Sequence, residues 1–375
     1  MKYQRLLFVA ALSIVCAGIF IACSKSNSDN GGGTNPGGSG DATLANIGNN
    51  IIVSSYQNLS TAATAFDAAV TAFNAGPTTG GLSDLQAKFA VVYKAWETCS
   101  EFEFGPGSEQ TLITTTVNVF PTDTVLINAN VSSGSYTIDG ISNLKAQGFP
   151  AIDFLLFGSD NTSVLTRFTT GSKAANAKQY LAAVTSSIKT KAGAVVNAWL
   201  GTGGNYINKF ITNTGVNSGS SLSLLVNALV HDYDVVLKNY KIGIPFGKYG
   251  PNTIPQDPTK VEAYYSGSSL QLLVLQVQAI QNIYTGGTGL GLDDKIAATS
   301  AQSNGQPLNT VITSQLATVI AKLQAIPAPL SGAIQSNSTT VADAYTEVQK
   351  LVVLLKVDMC SALGVKIAFQ DDDGD

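Results

Sequence analysis

Charge is scarce in this chain. Asp, Glu, Lys and Arg make up 12% of its 375 residues, against an ordinary share of about 25%. Solubility therefore leans on Ser, Thr, Asn, Gln and Gly, and the absence of any basic stripe excludes nucleic acid as a partner. Histidine occurs once, at His231, methionine twice and cysteine four times. A catalytic zinc draws three ligands mostly from His and carboxylates, and the chain has no HExxH or HxxE run to supply them. Haem ligation is equally poor in parts, so no haem is expected. No CxxC pair, Walker loop or GxSxG elbow occurs, and a Ser-His-Asp triad would rest wholly on His231.

The 45% hydrophobic content is enough for a full core. Residues 1–22 have a basic start at Lys2 and Arg5 and an apolar run too short to span a bilayer, the layout of a secretory signal. Phe20-Ile21-Ala22-Cys23 resembles a bacterial lipobox, which implies cleavage before Cys23 and lipid on its thiol. Residues 23–43 then form a flexible Ser/Gly/Asn tether. Without Lys2 and Arg5 the formal charge of −4 becomes −6, with 19 basic against 25 acidic residues. Cys99 and Cys360 remain in the body, and whether they bridge is left open.

From Leu44 onward apolar residues recur at three- and four-residue steps, broken by Gly/Pro clusters, and the fold class expected is all-α. Leu82, Leu85, Phe89, Val92, Trp96 and Cys99 form one helical face. Continuing that projection puts Glu103 on the apolar face and turns Glu97 and Glu101 to the other side. A carboxylate on an apolar stripe needs a partner or a proton, unless the helix has already frayed there. Residues 105–140 read as one long irregular loop, of a kind that is usually functional. The helix expected at Leu222–Tyr240 buries Tyr233, Val236 and Tyr240 on one face and turns His231 outward as a surface residue. Lys241–Pro251 reads as a turn-rich break. The four tail aspartates, Asp371, Asp372, Asp373 and Asp375, have oxygens suited to Ca²⁺ but lack an EF-hand's later ligands, so a solvated acidic tail is favoured.

Five ordered segments then carry a resemblance. They are WETCSEFEFGP at 96–106, GFPAIDFLLFG at 148–158, KIGIPFGKYGP at 241–251, EAYYSGSS at 262–269 and GVKIAFQDDDGD at 364–375. Together they resemble the imelysin family of bacterial envelope proteins, first classed as metallopeptidases. In the family's GxHxxE motif Gly148 holds the first position, Pro150 stands in place of His, and Asp153 in place of Glu. Pro150 suits a first helical turn and Asp153 lies close enough to its free N–H groups to serve structure alone.

The resemblance implies two helical bundles, residues 44–200 and 201–375, with a cleft between them. It also implies a lipid-anchored place at the outer membrane, reached through Cys23. Asp153, at the family's carboxylate position, leads the candidates for a ligand or metal. Glu103 follows from the helical projection, and Asp123 from its loop and the NVFPTD run. Trp96, Phe149 and Pro150 are expected to shape the cleft. No catalytic residue is assigned. The reading preferred at this point is a non-catalytic protein that binds metal, iron among the metals considered, or a small ligand, and is linked to uptake; an envelope protein partner stays open. An interaction or adhesion module with a purely structural motif, and a metallopeptidase, are the alternatives.

Overall fold

Short polar side chains set the helix starts. Thr78 accepts the Gly81 N–H at 3.0 Å, Asp123 the Leu126 N–H at 2.9 Å, and Asp160 the N–H groups of Thr162 and Ser163 at 3.0 Å each. Each satisfies donors that a helix cannot pair within itself. The computed structural model describes residues 40–369 apart from 111 and 337. The signal and lipid site expected at residues 1–23, most of the expected tether and the tail aspartates lie outside the described residues.

In the first half α1 (Ser54–Ala75), α2 (Thr79–Trp96) and α5 (Ala174–Trp199) lie side by side. Between them come α3 (Thr124–Ser133) and α4 (Gly148–Phe157). Apolar residues at helical spacing meet here, with Phe66 against Phe89 at 5.7 Å between ring centres and Phe73 edge-on to Phe168 at 5.4 Å. In the second half α6 (Ser221–His231) runs straight into a π-helical segment, Asp232–Gly243. Then α7 (Ser269–Thr285), α8 (Leu308–Gln324) and α9 (Thr339–Val353) pack against one another. Buried residues of both halves join in one contiguous core, and α7 also touches α2. The only strands among the described residues are two short hairpins, 248–253 and 302–307. The all-α expectation holds. No described helix is long and apolar enough to cross a membrane.

Three expectations need correction. Residues 105–140 are not one irregular loop, because α3 and shorter turns break it up. The segment TVLINANVSS buries little beyond Ile127, Asn130 and Val131, so no apolar stripe announces it. Lys241 sits inside the π segment, buried, and the chain turns only at Gly247. The i→i+5 bonding of that segment adds a residue per turn, so Tyr240 swings off the buried face and is 40% exposed. Cys99 and Cys360 are free and buried, with their thiols directed at the backbone carbonyls of Trp96 and Leu355.

Candidate functional site

A chain poor in charge places its densest group of charges in the interior. Lys241, on the π segment, donates to Glu97 at 2.6 Å and lies 2.9 Å from Glu262. All three are buried, as are Glu101 and Asp232 beside them. Asn118 donates to Glu262 at 2.6 Å and accepts from Tyr93 at 2.7 Å, and Gln276 donates to Asp232 at 2.6 Å. Asp234 and Lys238, on the same segment, form a separate cluster with Lys356 from the 354–359 segment.

Four carboxyls thus surround one lysine, and crowding and burial show in the proton affinities of Glu97, Glu101 and Asp232. Burial, and then the charge of Glu262, hold the Glu97 carboxyl well above its ordinary range; burial and Asp232 do the same for Glu101. Burial pushes Asp232 up to about 6. For Lys241 burial acts to lower the ammonium's pKa, but Glu262 and Glu97 outweigh it and the net shift is upward. The ammonium is thus held in its charged form.

In front of this network lies a cavity of about 280 Å³, walled by Trp96, Phe120, Tyr240, Glu103, His231 and Asp232, with Lys241 also lining it. At its edge His231 Nδ1 and Glu103 Oε2 are 2.9 Å apart. That close carboxylate raises the histidine's proton affinity, against the opposing effect of burial. The same pair borders a second, more open hollow whose far wall includes Ala368 and Phe369. Buried polar atoms remain unmatched here. The indole Nε1 of Trp96 and Oγ1 of Thr114, on residues lining the cavity, have no protein partner among the described residues. Native interiors rarely leave such groups without water or a ligand to serve them.

The resemblance to the family motif leads to a different place. Gly148 starts α4 with φ of +72°, and a Cβ there would stand 2.1 Å from the Val117 carbonyl oxygen. Only glycine permits that approach, and it lets Phe149 N–H donate to the same oxygen at 2.7 Å. Pro150 lies in the first turn and offers no donor atom for a metal. Asp153 does not serve its own helix's first turn as expected. Its two oxygens accept the Tyr265 N–H at 2.9 Å and the Ser266 N–H at 3.2 Å, which ties α4 to the 263–266 turn. Burial pushes its carboxyl up to about 6 even so. Asp153 and Pro150 border a smaller hollow of about 120 Å³, which shares Phe120 with the larger cavity.

The three carboxylates named from sequence therefore stand in three settings. Glu103 lines the larger cavity, Asp153 the smaller hollow, and Asp123 caps α3. Among the described residues no three His, Cys, Asp or Glu side chains converge closely enough to hold a metal ion. Trp96 lines the larger cavity, while Phe149 is wholly buried behind it, stacked on Tyr93 with ring centres 4.7 Å apart. The outward projection of Glu97 and Glu101 is overturned, because α2 ends at Trp96 and both side chains are fully buried. Glu103 keeps a third of its surface for the same reason. His231 is not a free surface residue but the partner of Glu103. Asp232, Lys241 and Glu262 were not singled out from sequence. One signal was available, since Asp232–Lys241 carries four charged residues in ten within an otherwise apolar stretch.

Comparison with known proteins agrees with the fold. A family model described as Imelysin matches residues 52–356. Iron-regulated protein A of Synechococcus elongatus is 23% identical over 339 residues, covering 88% of this chain and 87% of that protein. Among solved structures, an iron-regulated protein A precursor from Parabacteroides distasonis superposes with a TM-score of 0.66 at 21% identity, covering 86% of this chain and 94% of the other. An imelysin-like protein from Psychrobacter arcticum gives 0.60 at 16% identity, over 87% and 96% of the two chains. With the family model spanning most of its length, this chain belongs to the imelysin family.

Proposed function

We propose that this protein is a non-catalytic binding protein that holds a small, positively charged ligand in the 280 Å³ cavity behind the Glu103–His231 pair. The single observation carrying this reading is that cavity, lined by the carboxyl groups of Glu103 and Asp232 among aromatic walls. Field lines from such a group favour an incoming cation, the more so in a low-dielectric setting. Peptidase chemistry finds no support at the motif, where Pro150 has no ligating atom and Asp153 spends both oxygens on backbone N–H groups. A bare metal ion finds no three-ligand seat among the described residues, so a metal would enter with donors of its own. The printed names of two relatives speak of iron regulation. Those names support a link to the iron response and to uptake, and the lipobox-like Phe20-Ile21-Ala22-Cys23 run supports a lipid anchor at the outer membrane.

The test is thermal melting of the purified chain with ferric citrate, Fe²⁺, Zn²⁺, Ca²⁺ and small amines. A ligand that binds only the folded state raises the melting temperature by mass action. The proposal expects a shift with at least one cationic compound that disappears in Glu103→Gln. A shift that survives Glu103→Gln, or none with any compound, would reject it.

A further inference from the structure

The walls of the cavity say what kind of cation it suits. A hard metal ion asks for converging oxygens, and these are not assembled. An organic ammonium asks instead for aromatic surface beside a carboxylate or two, and three aromatic residues, Trp96, Phe120 and Tyr240, line the cavity together with Glu103 and Asp232. Cations held over aromatic rings gain most where water is excluded. Tyr240 is brought there by the π segment, which turns it from the core yet keeps it on the same cavity as the buried Asp232 at the segment's start. An ionised carboxylate offers about four acceptor directions, of which the His231 Nδ1 contact to Glu103 takes one. The two cations that also line the cavity do not close it to a third. Lys241 is engaged by Glu97 and Glu262, and His231 by Glu103.

We propose that the ligand of this cavity is a small primary organic ammonium, seated between Tyr240 and the Glu103 carboxylate. The inference rests on the reading above and narrows its ligand class. A chain of a few carbons with one or two amino groups matches the cavity's 280 Å³. The ammonium donates to Glu103 and lies against the aromatic walls, with Asp232 supplying the inner negative charge.

The experiment is calorimetric titration of the purified chain with putrescine, with 1,4-butanediol as its uncharged counterpart, and with Fe²⁺ in the absence of oxygen. Putrescine is expected to bind and the diol to bind at least about a hundredfold more weakly. Tyr240→Ala should weaken putrescine by about three- to thirtyfold, the span of a cation–π contact, while Tyr240→Phe, which keeps the ring, stays within about twofold. Because Tyr240 is 40% exposed, neither change threatens the fold. Glu103→Gln should cost about tenfold or more. If the diol matches putrescine, or Tyr240→Ala binds as wild type does, the ammonium assignment is wrong. Binding of Fe²⁺ that is lost in Glu103→Gln, with no binding of putrescine, overturns the ammonium and leaves the cavity reading standing. Binding of none of the three overturns both.

Discussion

Replacing Lys241 by Met is the sharpest test of the buried network. The methionine fills a similar volume, so the change removes charge with little loss of packing. It leaves Glu97, at 2.6 Å, and Glu262, at 2.9 Å, facing the place of the lost ammonium, with Glu101 and Asp232 nearby. Removing one member of a buried ion pair costs about 3–5 kcal/mol, because the partner remains desolvated and uncompensated. The orphaned carboxyls have an escape, which is to bind protons. Their affinities are already raised by burial, so loss of the lysine makes protonation easier still. The loss should therefore reach about 3–5 kcal/mol at pH 8 and shrink by at least about 1 kcal/mol at pH 5. Urea unfolding at the two pH values measures it. The double variant Lys241→Met with Glu97→Gln should recover part of the loss at pH 8, as coupled neighbours do. A loss below about 1 kcal/mol that ignores pH would refute the claim that this lysine neutralises buried carboxylates.

Wild-type stability should itself depend on pH in one direction. Asp153 and Asp232 are both pushed up to about 6 by burial, and His231 is raised by the Glu103 carboxylate beside it. Each binds its proton more tightly folded than unfolded, so stability is highest below the unfolded values and falls as pH rises through the folded ones. Unfolding free energy should drop by about 2–3 kcal/mol between pH 5 and pH 8, and a rise over that window in urea titrations would contradict the assignment. Gly148→Ala should destabilise by about 2 kcal/mol or more, since it combines a left-handed backbone with a 2.1 Å approach to Val117; a neutral result by thermal unfolding would mean that α4 starts differently. Asp153→Asn keeps one good acceptor and turns an amide toward the other N–H, at a loss of about 1–3 kcal/mol, read by the same assay. Asp123→Ala should lower stability by about 1 kcal/mol through its lost helix cap and leave ligand binding unchanged.

Much of the fold was legible because its helices bury one face. Leu85, Phe89, Val92 and Trp96 recur at the spacing that α2 buries, and the turn at Gly76-Pro77 separates it from α1. The family frame was legible too, since Gly148, the first position of the motif the chain resembles, is demanded by its own backbone geometry. The site was less so, for two physical reasons. Helical projection holds only while the helix lasts, and α2 stops at Trp96, which moved Glu97 and Glu101 inside and Glu103 toward solvent. It also holds only for one period, and the π turns after His231 re-aim Asp232, Tyr240 and Lys241. The pairing of Lys241 with Glu97 and Glu262 joins segments far apart in the chain, and nothing in local sequence announces such a partner.

The most direct test of the whole account sets the two candidate seats against each other. Wild type, Glu103→Gln and Asp153→Asn are titrated calorimetrically with putrescine and with Fe²⁺, well below the melting temperature of each variant. The account predicts that Asp153→Asn, though less stable, binds as wild type does, and that Glu103→Gln loses at least about tenfold, or 1.4 kcal/mol. Binding abolished by Asp153→Asn and retained by Glu103→Gln would contradict it, and would return the functional site to the family motif.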